Sequence, residues 1–231
     1  YWQQQLKSAP LILDLLTDHP RPPTLSLVRA RHPFVLPEAL SAALKTLSRK
    51  EGISLFTTLL SAWQLLLHRY SDQDDLLVGT PRIQRMPTGV EWVNLLVLRA
   101  RMIGNPAFRD LLEQVNQVVR EAQAHQDVPF EQIVQALQPA PEPSRHPLVQ
   151  VLFVLEPTRL HMQEENGDSW QSLLQDDWMA KCDLTLWLQE TEPELRGWVE
   201  YNSALFDAAA IERLVGHWQT LLEGIVANPA Q

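Results

Sequence analysis

The chain has 231 residues, 45% hydrophobic and 20% charged, with a formal net charge of −9. That balance belongs to a globular protein long enough for one large core or two small ones, and its acidity argues against nucleic-acid binding, which calls for a basic surface. The single Cys182 excludes an internal disulfide and a cysteine zinc cluster; no apolar run nears the ~20 residues of a membrane span and no signal peptide is visible, so the expected location is the cytoplasm.

In chain order, "YWQQQL" starts at Tyr1 without a methionine, as expected of a piece of something longer. The closely spaced prolines of "TDHPRPPT" forbid helix and predict an extended path. A strand is predicted in "LSLVRARHPFVL", and Pro37 then suits the first turn of a helix whose face is Leu40, Ala43, Leu44 and Leu47, closed by Gly52. Ser54 is the expected N-cap of the next helix, whose apolar positions from Leu55 to Tyr70 cover so broad a surface that it must pack on more than one side. "DLLVGTP" and "WVNLLVLRARM" read as buried strands. After Gly104-Asn105-Pro106 comes a long helix with Leu111, Leu112, Val115, Val118, Val119 and Ala122 inward, then a short one on Phe130, Ile133, Val134 and Leu137. The near-continuous apolar run "HPLVQVLFVLEP" predicts a strand covered on both faces. "CDLTLWLQ" and "LRGWVEYN" alternate with period two across an "ETEPE" hairpin, and a last helix runs from an Asp207 N-cap to about Ala227. Strands and helices alternate in one continuous pattern, which predicts an α/β fold: a single layered sandwich of a mixed sheet flanked by helices.

No phosphate-binding glycine loop, G-x-S-x-G turn or H-E-x-x-H pair occurs. "AHQDVPFEQIVQAL" offers His125 as a base with Asp127 to orient it, but a structural reading accounts for the same residues. His125 ends one helix, where a partly positive ring suits the dipole; Asp127, ahead of Pro129, is placed to cap the next helix, and Glu131 adds charge to its first turn. Contact of this stretch with a ligand or partner stays open. "HRYSD" has the H-x-x-x-D spacing of an acyl-transfer motif, yet Leu67 precedes it and Gln73 follows it where a second histidine and a glycine are required. No catalytic residue and no metal site is assigned.

Eight segments in order resemble the condensation domains of nonribosomal peptide synthetases: "YWQQQL", "LLTDHPRPP", "LFTTLLSAWQLLLHRYSDQDDLLVGTP", "VNLLVLR", "HQDVPFEQIVQAL", "SRHPLVQVLFVLEP", "CDLTLWL" and "LFDAAAIERLVGHWQTLLEGIVANP". The resemblance covers residues 1–231 and implies one half, the C-terminal lobe, of a two-lobe fold of the chloramphenicol-acetyltransferase type. Its catalytic signature of two histidines, three residues and Asp-Gly belongs to the other lobe and is absent. The implied reaction is amide formation between groups carried as thioesters on the 4′-phosphopantetheine arms of carrier proteins, with no cofactor bound by this chain. The implied partners are the N-terminal lobe, those carrier proteins and a downstream adenylation domain in the same polypeptide, without nucleic acid or membrane. By resemblance Asn94 and Trp92 line the substrate tunnel, Asn94 orienting substrate through its amide; a polar side chain satisfied within the sheet is the competing reading. Arg99 matches a structural ion-pair position, and His125, Asp127 and Pro129 belong to the family's structural signature. Residues 158–181 correspond to a loop that floors the channel. One departure is the short "RIQRMPTGVEW", which sets Val90, Glu91 and Trp92 ahead of Val93-Asn94. Two functions follow: a lobe of a working condensation domain, inactive by itself and apolar where its partner docks, or a truncated platform for the adenylation domain.

Overall fold

The computed structural model describes residues 1–85, 91–156 and 181–229. Six strands and six helices are described: α1 (Trp2–Gln5), β1 (Arg29–Leu36), α2 (Glu38–Lys50), α3 (Leu55–Ser71), β2 (Asp75–Arg85), β3 (Glu91–Arg101), α4 (Phe108–Ala124), α5 (Phe130–Leu137), β4 (Val151–Glu156), β5 (Leu184–Glu190), β6 (Leu195–Asn202) and α6 (Ala208–Ala227). The strands form one sheet in the order β1-β6-β5-β4-β2-β3. β4 runs parallel to β2 and β5, and the remaining pairs are antiparallel, so the sheet is mixed as its sequence pattern implies.

β4 lies between β5 and β2, and five of its six residues are buried, which is why its sequence shows no polar alternation. Helix α3 is central to the helical layer. Its Phe56 meets Phe153 of β4 edge-on at 5.3 Å, and Trp63 meets Trp218 of α6 at 6.2 Å, while Trp218 in turn abuts Phe34 of β1. The early helix ends follow their sequence signals. Ser54 accepts the Thr57 amide, Gly52 takes φ +68 after α2, and Asp72 turns left-handed after α3. Pro37 and Asp207 sit at N-cap positions without capping through their side chains; the Asp207 carboxylate is bonded to His19 Nε2 at 3.0 Å instead.

Two strands are shorter than expected. β1 begins at Arg29, because Leu25 gives its amide to Pro143 O and the chain before it is a strap, not a sheet member. β4 begins at Val151, because Leu148 adopts φ +64 and the Val149 amide turns back to Pro147 O. β2 is longer than its apolar run, reaching Arg85 opposite Glu91.

The strap is tied down by polar stitches rather than by regular structure. Arg21 pairs both terminal nitrogens with Asp183 at 2.9 and 2.5 Å, Leu13 donates to Gln150 Oε1, and the Asp18 carboxylate accepts the Asp207 amide. Among the described residues, the large apolar side chains left exposed include Ile12, Leu16, Leu27 and Val28 on this strap, Leu16 at 85%. β1 is an edge strand. Pro33 has no amide hydrogen to offer there, and Gln219 of α6 donates to Val35 O.

Candidate functional site

The residues singled out by sequence converge on the β2–β3 hairpin and the turn between α4 and α5. Pairing of Arg82 with Asn94 and of Gln84 with Trp92 fixes the hairpin register. Asn94 is 1% exposed and uses its whole amide within the chain. Its Nδ2 donates to Gln126 O at 2.7 Å and Val128 O at 2.9 Å; its Oδ1 accepts from Leu95 N and from Phe130 N, both at 2.9 Å. The amide thus binds the peptide groups on both sides of Asp127 and takes the first amide of α5.

This geometry corrects one expectation. Asp127 is exposed and does not cap α5, whose N-cap position is Pro129, a residue with φ −59 and no side chain able to accept. The acceptor arrives from β3 as Asn94. Proline is tolerated beside the orphan amides of a first turn but leaves them unsatisfied, so a distant side chain serves.

His125 is the C-cap of α4. Its Nδ1 donates to Glu121 O at 2.9 Å, its ring lies flat on Tyr1 at 4.3 Å between centroids, and its carbonyl accepts the Trp2 indole at 3.1 Å. The turn is therefore clamped by β3 on one side and by α1 on the other. His68, the histidine of "HRYSD", donates through Nδ1 to Gln73 O at 3.0 Å. Arg99 is 4% exposed; it grips Asp75 through Nε at 2.8 Å and Nη2 at 2.5 Å, and Nη1 holds Gln5 O and Lys7 O at the end of α1. Trp92 is half-buried in β3, two residues before Asn94. The channel-flooring segment expected at 158–181 lies, but for its last residue, outside the described residues, as do residues 86–90 of the short hairpin connection.

Sequence reasoning missed Gln126. Its carbonyl also accepts from Gln84 Nε2 at 3.3 Å, and its side-chain Oε1 accepts from Arg82 Nε at 3.3 Å, so it joins the turn to β2 as well as β3. Nothing in a lone glutamine at a helix end signals this, because all three partners arrive from other elements. Among the described residues no group of three or more His, Cys, Asp or Glu side chains converges as a metal site, and no helix is long and apolar enough to cross a membrane.

The chain as a whole is similar to known proteins. The condensation domain family matches over residues 1–231, and the chain belongs to that family, the condensation domains of nonribosomal peptide synthetases. It is 43% identical over its whole length to a linear gramicidin synthase polypeptide of Brevibacillus parabrevis, of which it spans 5%. It is 35% identical over 99% of its length to phosphinothricin tripeptide synthetase PhsC of Streptomyces viridochromogenes, spanning 22% of that protein. Among solved structures, the four-domain nonribosomal peptide synthetase holo-AB3403 superposes on the whole chain with a TM-score of 0.88 at 26% identity, the chain covering 19% of it. The X-domain from teicoplanin biosynthesis shares the fold with a TM-score of 0.85 at 23% identity, and the chain covers 54% of it. The chain thus spans only a small part of the synthetases it matches.

Proposed function

We propose that residues 1–231 are the C-terminal, acceptor-side lobe of a condensation domain and supply one wall of the channel in which an amide bond forms. In that reaction the acceptor amine attacks the donor thioester carbonyl, the C–N bond forms, the C–S bond breaks and the donor arm leaves as a thiol. Both groups travel on 4′-phosphopantetheine arms of carrier proteins, and a histidine of the preceding lobe handles the amine proton. One observation carries the reading: the chain matches the family from end to end while spanning 54% of a solved domain of the same fold. Its seven histidines, none adjacent to another, lack the paired signature that the reaction uses. Asn94 then acts by holding the α4–α5 turn, since its hydrogen bonds are spent inside the chain, and Trp92 keeps only the tunnel-lining role that the resemblance implies.

The test is to incubate the chain with aminoacyl-loaded donor and acceptor carrier proteins and follow the dipeptidyl product by mass spectrometry. The chain alone yields none, and adding an N-terminal lobe bearing the two histidines restores it. Turnover by the chain alone, lost when one of its own histidines is replaced, overturns the reading. The second reading, a platform for an adenylation domain, draws on the shortened stretch between Arg82 and Trp92. It predicts stable association with the adenylation domain and no gain of condensation on adding the first lobe.

A further inference from the structure

β2, β4 and β5 are mutually parallel, so their carboxyl ends lie along one border of the sheet, where open α/β sheets place ligands. A cavity of about 370 Å³ lies there, within the range of small-molecule pockets. Its apolar lining includes Phe56, Leu96, Leu98 and Val119, and its polar lining includes Thr80 and Arg82. Three observations give it a polarity. Thr80 is 7% exposed, and its hydroxyl makes no hydrogen bond among the described residues. The N-terminus of the seventeen-residue α3 opens into it; Ser54 satisfies Thr57, so the Leu55 and Phe56 amides have no partner in the helix. Arg82 is held through Nε by Gln126, leaving both terminal nitrogens to turn elsewhere, and Gln126 is itself held by Asn94. Glu190, a carboxylate at the rim, is engaged by Lys45 Nζ at 3.3 Å.

Donors thus stand above an apolar floor, which suits a ligand with a hydrocarbon group and a carbonyl. We propose that this cavity receives the branched or aromatic side chain of an aminoacyl group, with its carbonyl oxygen directed at Thr80 and Arg82; the choice of an aminoacyl ligand rests on the condensation reading above. The larger cavities, one of about 770 Å³ between α3 and α6 and one of about 700 Å³ beside the prolines at 139–147, show no comparable buried, unbonded polar side chain in their linings.

The test is an NMR titration of the isotopically labelled 231-residue chain with leucine N-propylamide, glycine N-propylamide and 3-methylbutan-1-ol. The leucine probe shifts the amide resonances of Phe56, Thr80 and Leu96, and each of the other probes binds at least about threefold more weakly, since each lacks either the side chain or the carbonyl. Thr80→Val, which keeps the shape and removes the hydroxyl, weakens the leucine probe about three- to tenfold, the worth of one hydrogen bond. Gln123→Trp, an exposed change at the rim, abolishes the shifts while the rest of the spectrum stays native. The proposal is overturned if the leucine probe leaves these resonances unmoved, if Gln123→Trp binds as before, or if the alcohol binds as tightly as the amide. No turnover is involved, so such a failure leaves the condensation reading standing. Conversely, a chain that binds the probe but never supports condensation with a first lobe disproves that reading and not the pocket.

Discussion

Asn94 in β3 caps a helix that begins 36 residues later: its Oδ1 lies 2.9 Å from the Phe130 amide, while its Nδ2 spans the carbonyls of Gln126 and Val128. The signature turn takes its shape from the strand beneath it as much as from its own residues.

Asn94→Ala removes both halves of this clamp and leaves buried peptide groups without partners. The expected loss is about 2–4 kcal/mol in urea unfolding, with faster hydrogen exchange at the Phe130 amide. Asn94→Asp keeps the acceptor but sets a carboxylate against two carbonyls, and it should be no more stable than the alanine variant.

The Arg99–Asp75 pair gives an asymmetric result. Asp75→Asn strips the counter-ion from a guanidinium that is 4% exposed and should cost roughly 3 kcal/mol, whereas the carboxylate left by Arg99→Met still has Arg101 Nε at 3.8 Å. Arg99→Met also frees Gln5 O and Lys7 O, so protease sensitivity near α1 rises in that variant first.

Two glycines should respond in opposite directions to alanine. A Cβ at Gly197 would drive into the backbone oxygen of Trp187 and lie 2.9 Å from Phe34 Cζ, so Gly197→Ala costs about 3 kcal/mol or more. Gly216, exposed in α6, has nothing within 4 Å of the added carbon, and alanine there should add about 0.5–1 kcal/mol through helix propensity. Thermal melts of the two variants on either side of the parent check both.

Stability should fall on mild acidification through His146. Burial lowers its pKa to about 4 from 6.5, although the carbonyls of Val149 and Pro147 partly oppose that shift. The unfolded chain therefore binds a proton that the folded chain refuses. The contribution is intact above about pH 6.5 and drains away as pH falls toward 4, to a total of roughly 3 kcal/mol. His146→Gln should flatten the slope of unfolding free energy between these limits.

Periodicity revealed the layered fold because the flanking helices α2, α4 and α6 each keep one wet side, whereas α3 is buried all round from Thr57 to Gln64; it revealed β4 because that strand is covered on both faces. α6 shows the match in detail: Ile211, Leu214, Val215, Trp218, Leu222 and Ile225 are buried as their spacing requires, with Leu221 half-buried at the margin. What stayed hidden were partnerships across long sequence separation. Arg21 finds Asp183 and Phe130 finds Asn94 only after the sheet has assembled, and local rules assigned the cap to Asp127 because it was near. The left-handed turn at Leu148, which shortens β4, also escaped notice, because leucine carries no signal for positive φ.

The outer border of β1 has a consequence for handling the protein. Pro33 has no donor to offer along that margin, and two residues on, the Gln219 amide occupies the Val35 carbonyl. A second polypeptide approaching that margin finds its ladder broken at two successive rungs. Concentrated samples should therefore resist fibril growth by strand addition along that side.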